Sequence, residues 1–334
     1  MGTAIGDLLP RTKIGLEQID TVAIDAFNTI YQFLSIIRQR DGTPLMDNAG
    51  RITSHLSGLF YRTAHILEAG VRPAYVFDGE PPELKKNTVT KRRQTREHAA
   101  QEWLQARAEG RADAFKYAQA SARLDDQVLE SSRDLIRYLG IPVVDAPSEG
   151  EAQAAYMASI GDVSFAASQD IDALLFGAPR LVRNLTITGR RKLPGKNVYV
   201  SISPELLSLE DILASLEITR EQLIEVGILV GTDYNEGVKG IGPKKALKMV
   251  KTVGIRQALE NLEAETDFEQ IEQFFLNPNI TDTYKLKWAP VNEKKITEFL
   301  CDEHSFSRER VENTLQRMIA TQEDADQRSL AQWL

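Results

Sequence analysis

Apolar residues fall along this chain in two rhythms. Short blocks of β-branched, aromatic and small residues each run into an aspartate: Thr21-Val22-Ala23-Ile24-Asp25, Ala74-Tyr75-Val76-Phe77-Asp78, and Val163-Ser164-Phe165-Ala166-Ala167-Ser168-Gln169-Asp170. Helical patterns lie between them, at 27–39, 51–69 and 126–139. A fourth apolar block, Pro142-Val143-Val144, precedes a turn and a helix opening at Ser148, a residue type that caps helices. Strands alternating with helices predict an α/β fold, a mostly parallel central sheet with helices on both faces. In such sheets sites form beyond the carboxyl ends of the strands. Asp25, Asp78 and Asp170 are therefore expected on one rim.

Residues 84–125 break this rhythm. They are rich in Lys, Arg, Gln, Glu and Ala, with scattered large apolar positions at Trp103, Leu104, Phe115, Tyr117 and Leu124. High helix propensity without a full apolar face predicts a helical insertion standing off the core. Its place straight after Asp78 suits a lid or arch over substrate. The stretch from about 203 to 275 reads as helical, with helices around Asp211 and over 220–231, 243–251 and 254–262. Between the second and third lies Gly237-Val238-Lys239-Gly240-Ile241-Gly242-Pro243-Lys244-Lys245. Its glycines allow tight turns, and Pro243 suits the first helical position. The exposed N–H groups of that helix start, with Lys244 and Lys245 beside them, would meet a phosphate.

The chain has 334 residues, room for one large domain or one with a satellite. No stretch approaches the roughly 20 apolar residues of a membrane span. The N-terminus reads neither as a signal peptide nor as a myristoylation site. A lone cysteine, Cys301, fits a small buried hydrophobe in a reducing cytoplasm. Net charge is −8, which argues against a nucleic-acid partner until its distribution is examined. Residues 85–96, 180–196 and 239–251 are basic windows without a single acid. One such window reads as a solvated face, but three in an acidic protein are the footprint of a phosphate backbone.

Seven acids have the placement that metal chemistry demands. Asp25 and Asp78 end strands, Glu149 and Glu151 sit in Pro147-Ser148-Glu149-Gly150-Glu151-Ala152, Asp170 and Asp172 in Asp170-Ile171-Asp172, and Asp233 follows a helix in Gly231-Thr232-Asp233-Tyr234-Asn235. Mg²⁺ takes oxygen ligands in octahedral geometry and keeps several waters, so a few carboxylates serve each ion. Two ions roughly 3.5–4 Å apart clamp a phosphodiester. Without cations, such a cluster repels itself and draws protons. Any one of these acids is more simply a turn or helix-capping residue; their conjunction with the basic windows carries the metal reading.

These motifs, together with the run Asp25 to Tyr31, Phe77-Asp78-Gly79-Glu80-Pro81-Pro82 and the block 231–244, closely resemble the flap endonucleases, in the right order over nearly the whole chain. The resemblance is to archaeal members in particular, with a place on the replicating nucleoid. It implies the PIN-like 5′ nuclease fold, a single nuclease domain over 1–320 with an arch at about 84–125, and a helix-two-turn-helix at about 225–255. The seven acids become ligands of two Mg²⁺ ions, with Mn²⁺ as substitute. Lys85 and Arg92 are implied to hold the scissile phosphate, although Lys86 or Arg93 could substitute. Tyr31 is implied to stack on a base, and Gly2 to let the chain approach DNA closely. Lys239, Gly240, Gly242, Lys244 and Lys245 are implied to grip duplex, often beside a bound monovalent cation.

The last residues, Gln327-Arg328-Ser329-Leu330-Ala331-Gln332-Trp333-Leu334, resemble the box by which replication proteins dock on the sliding clamp, with 321–334 as a flexible tail. Gln327 would enter a polar pocket, Leu330 and Trp333 an apolar one, and Leu334 stands where the family has a second aromatic. The function implied is 5′ flap cleavage, with 5′ exonuclease activity, on branched DNA in replication and repair, by a monomer. Rival readings are a 5′ exonuclease, repair nuclease or junction resolvase of the same superfamily, and a clamp-tethered DNA-binding factor without activity. An Asp-nucleophile phosphatase wants a second Asp two residues after the first, where Phe27 stands.

Overall fold

The structure, a computed structural model, describes residues 3–111, 113–187, 190–192, 199–264 and 266–331; of 190–192, 199–201 and 322–331 it describes the backbone alone. Its strands are β1 Thr12–Lys13, β2 Thr21–Asp25, β3 Arg72–Phe77, β4 Val143–Asp145, β5 Phe165–Ala167, β6 Arg180–Arg183, β7 Arg190–Lys192, β8 Tyr199–Ser201 and β9 Glu205–Ser208. Seven of them form one sheet in the order β1-β9-β6-β5-β2-β3-β4, and β7 and β8 pair separately. The five strands from β6 to β4 are parallel. At the far edge β9 runs antiparallel to β6, and β1 antiparallel to β9. The chain winds outward from β2 through β3 to β4, then crosses back to β5 on the other side of β2. That reversal opens a crevice beyond the ends of β2 and β5, beside Asp25 and Asp170.

The helices are α1 Ala26–Ile36, α2 Ser54–Glu68, α3 Lys86–Ala108, α4 Ala114–Ala120, α5 Asp126–Tyr138, α6 Gly150–Ser159, α7 Asp172–Leu175, α8 Leu209–Leu216, α9 Arg220–Val230, α10 Pro243–Asn261, α11 Phe268–Leu276, α12 Glu293–Thr297 and α13 Arg308–Ala331. Alternation along the strands sorts them into two layers. Val22, Ile24, Tyr75 and Phe77 face a core built with α1, α2, α5, α12 and α13. Ala23, Ala74, Val76 and Ala166 face the other, built with α6 to α11. Ala152, Ala154, Ala155 and Ala158 line α6 where it crosses those alanines. Small residues on both surfaces let α6 lie close to the sheet, and its amino end, with Glu149 and Glu151, reaches the rim. Tyr75 is fully buried and shares a 2.8 Å hydrogen bond with Thr63 Oγ1.

The helical patterns predicted at 27–39, 51–69, 126–139 and 220–231 appear as α1, α2, α5 and α9. The two helices expected over 243–262 form α10, broken where Gly254 adopts φ +75°. Four expectations differ from what the structure shows. The third apolar block pairs only over β5, because Ser168 to Asp170 bend away from the sheet. Residues 205–208 form β9, not helix, because Leu207 is buried against β6. The insertion is helical as predicted, but it does not stand free: α4 packs on α1, Arg107 pairs with Asp41 at 2.8 Å, and Trp103 Nε1 donates to the Asp41 carbonyl at 3.4 Å. The backbone of 321–331, expected within a flexible tail, continues α13 as helix.

Candidate active site

Five segments carry the seven acids to the rim, and most of the acids are oriented by a protein donor. Asp25 ends β2 and caps α1, accepting from Asn28 N–H at 3.0 Å. Asp78 follows β3 and accepts from Gly150 N–H at 2.7 Å, which ties it to the first turn of α6. Glu149 and Glu151 flank that same residue. Asp170 accepts from the Asn28 amide at 3.0 Å, joining the ends of β2 and β5. Asp172 opens α7 and accepts from Thr3 N–H at 2.9 Å, so the amino-terminal segment reaches the site. Asp233 lies in the turn after α9, where Asn235 Oδ1 accepts from the Thr232 hydroxyl at 2.8 Å. Ser148 does not cap α6. Its hydroxyl donates to the Glu80 carbonyl at 3.2 Å, holding the loop after β3 against the turn after β4.

Burial and mutual repulsion raise the carboxyls of this cluster. Burial, then Asp78 and Asp170, push the Asp25 carboxyl well above the usual range. Glu151 is raised in the same way by burial, then Asp172, Asp25 and Asp170. Asp172 is pushed to about 6 by burial, against its Thr3 hydrogen bond, with Asp233 and Asp170 adding repulsion. Burial also raises Asp78 and Glu149 despite the neighbouring Lys85. Glu151 Oε1 is buried with no hydrogen-bond partner. An all-oxygen, electron-rich donor set with an orphaned buried carboxylate oxygen fits a hard divalent cation. Among the described residues, the acids share the rim without three of them closing into a metal cage.

Arch cations face this wall. Lys85 Nζ lies 2.5 Å from Glu149 Oε2 and 3.6 Å from Asp233 Oδ2, and Arg92 Nη2 lies 2.6 Å from Asp233 Oδ1. Lys91 reaches Glu236, three residues beyond Asp233. Lys86 and Arg93 turn outward instead, paired with Glu83 and Glu97 and 69% and 80% exposed. Tyr31 lies on α1, with the Arg96 guanidinium 5.0 Å from its ring centroid. A cleft of about 510 Å³ is lined by Tyr31, Lys85, Arg92 and every one of the seven acids except Asp172.

Two matches and several relatives bear on this geometry. The XPG N-terminal domain matches residues 12–99, and the XPG I-region residues 140–233. Flap endonuclease 1 of Pyrococcus furiosus is 56% identical over all of this chain and 99% of its own length, and that of Archaeoglobus fulgidus 56% identical over all of both. The chain belongs to the flap endonuclease family. Flap endonuclease-1 from Methanococcus jannaschii, at 39% identity, superposes with a TM-score of 0.76 over 96% of this chain and 98% of its own. The catalytic core of Rad2 in complex with DNA, 24% identical with a TM-score of 0.70, shares the fold. The 5′ nuclease fold expected from the motifs is the fold found.

Further residues of this flap endonuclease lie away from the carboxylates. Lys239, Gly240, Gly242, Lys244 and Lys245 are exposed on the loop after α9 and the first turn of α10, with Gly242 capping the helix and Pro243 at its first position. Gly237 shapes that loop: its φ is +70°, and a β-carbon there would lie 2.3 Å from the Val230 carbonyl oxygen. Gln327 and Leu330 fall on the backbone of α13. Gly2, Trp333 and Leu334 lie outside the described residues. Asn28, Thr3, Arg96 and Glu236 were given no individual site role from sequence. Asn28 had one signal, a polar residue one helical turn after Asp25; the others act through contacts 65 to 169 residues away.

Proposed function

We propose that this chain hydrolyses one phosphodiester at the base of a 5′ flap in branched DNA, as a structure-specific, metal-dependent nuclease of replication and repair. The observation that carries this reading is the convergence of seven acids from five segments on one rim, faced by Lys85 and Arg92. When bound, two Mg²⁺ ions, or Mn²⁺ in their place, lower the pKa of the attacking water and stabilise the leaving oxygen. Asn28, Thr3 N–H and Gly150 N–H hold Asp170, Asp172 and Asp78 in orientation for those ions. Lys85 and Arg92 bind the scissile phosphate and offset charge that develops on it. The Tyr31 ring stacks on a base beside the cut, a contact every base can make.

Away from the cut, Lys239, Lys244, Lys245 and the N–H groups around Gly240 and Gly242 hold the backbone of downstream duplex, with a monovalent cation at the helix-two-turn-helix. Gly2 lets the chain approach the DNA. Selection is by shape and backbone contact rather than base edges. The chain works as a monomer that docks on the sliding clamp through Gln327, Leu330, Trp333 and Leu334. Among the described residues no helix is long and apolar enough to cross a membrane.

Cleavage of a labelled double-flap DNA, with Mg²⁺ and with chelator, tests the central claim. Wild type should cut at the flap base only with the ion, and Asp170→Ala should bind the DNA without cutting it. Binding without cutting by wild type would demote the acids to structural residues.

A further inference from the structure

The arch cations and the carboxylates they touch are the same groups the proposed reaction assigns to phosphate and to metal. A lysine head has three donors, so each one committed to these carboxylates is one fewer for a phosphate. Lys85 bridges Glu149 and Asp233, two members of the ligand set, and Arg92 occupies Asp233 from the other side. The carboxylate ends of these pairs are only 8% and 11% exposed, so water screens them little. Lys91 adds an outer stitch to Glu236, in surroundings where an ion pair contributes little. Together the three contacts pin the first turns of α3 to the start of α6 and to the turn after α9. In that arrangement no three described acids form a metal cage.

We propose that Lys85 and Arg92, with Lys91, form a cation lock: in the ion-free protein they stand in for the divalent ions at Glu149 and Asp233 and hold the arch down, and ion binding releases them. This rests on the metal-site reading above. The lock and the ions compete for the same oxygens, so each weakens the other by the same factor. Released cations are then free to take up phosphate, which couples loading of the ions to readiness of the arch. The lock also neutralises acids that would otherwise repel one another when no ion is present.

Calorimetric titration of the full chain with Ca²⁺, which shares the preference for oxygen ligands, tests this without DNA. Lys85→Met and Arg92→Gln should each bind Ca²⁺ about tenfold tighter than wild type, the effect of removing one charge-assisted competitor. Arg96→Gln is the control, because it removes the same charge from the same cleft but from a side chain that lies over Tyr31. Its affinity should stay near that of wild type. Hydrogen exchange supplies the second readout. Ca²⁺ should speed exchange in the first turns of α3 in wild type, and Lys85→Met should exchange fast there without the ion. An equal gain for Arg96→Gln, no gain for the lock variants, or α3 exchange slowed by Ca²⁺ would overturn the lock. If Asp170→Ala loses Ca²⁺ binding while the lock variants match wild type, the lock fails and the metal site stands. If no form of the chain binds Ca²⁺, the metal site fails and the lock with it.

Discussion

Gly79 offers a sharp test of how the rim is held together, because it sits between two of the elements that carry the acids. Its N–H donates to the Ser148 carbonyl at 2.7 Å, pressing the loop after β3 against the turn that feeds α6. A β-carbon at this position would lie 2.3 Å from the Ala146 carbonyl oxygen and 2.6 Å from that of Pro147. Both are backbone atoms, so no side chain can swing aside. Restoring ordinary contact with Gly79→Ala requires the two segments to part by roughly 1 Å, the kind of overpacking that costs about 1–3 kcal/mol. Lengthening the Gly79–Ser148 hydrogen bond adds about 0.5–1.5 kcal/mol, and the stiffer unfolded chain returns about 0.4–1 kcal/mol. The net expectation is a loss of about 0.5–4 kcal/mol. Activity should fall further than stability, because the parting separates Asp78 from Glu149 and Glu151. A displacement of about 1 Å in a reacting constellation costs on the order of 10²-fold. Thermal unfolding and kcat/KM on double-flap DNA under saturating Mg²⁺ read the two effects separately. Gly6→Ala, whose methyl would meet only Arg11 at 3.5 Å, serves as the stability control. Gly79→Ala with wild-type kcat/KM and an unshifted melting curve would refute the reasoning.

Other expectations follow from the same geometry. Asp172 is raised to about 6 from 3.8 by burial, so in ion-free protein its charge destabilises the fold above about pH 6, and protonation relieves this as pH falls through 6. Divalent ions relieve the same charge without protons, so the gap in thermal stability between ion-saturated and chelated protein should narrow from about pH 8 to about pH 5; a constant gap would sink this account. Tyr75→Phe leaves Thr63 Oγ1 without its 2.8 Å partner in a fully buried site and should cost about 1–3 kcal/mol in denaturant unfolding; an unchanged midpoint would count against that bond. Trp333→Ala should weaken sliding-clamp binding by about 2 kcal/mol or more in a calorimetric titration, and undiminished binding would dismiss the terminal box.

Much of this protein was legible in the order of its residues. Apolar blocks ending in aspartate place Asp25, Asp78 and Asp170 at one rim, because parallel strands joined by crossovers have their carboxyl ends on the same side. The break at Gly254 and the turn over 237–242 were visible because glycine and proline act on the backbone locally. What needed the tertiary structure was everything decided by partners distant in sequence. Four residues at 205–208 have too little pattern to declare a strand, and become one only because β6 offers them a ladder. Ser148 is a capping residue by type, yet a carbonyl 68 positions earlier takes its hydroxyl. The basic run after residue 84 reads the same at Lys85 and Lys86, but only the fold turns one into the acids and the other into solvent. Sequence determined which chemistries were present and roughly where along the chain. Packing decided which charges meet, since electrostatic pairing depends on distances of a few ångströms that no local pattern encodes.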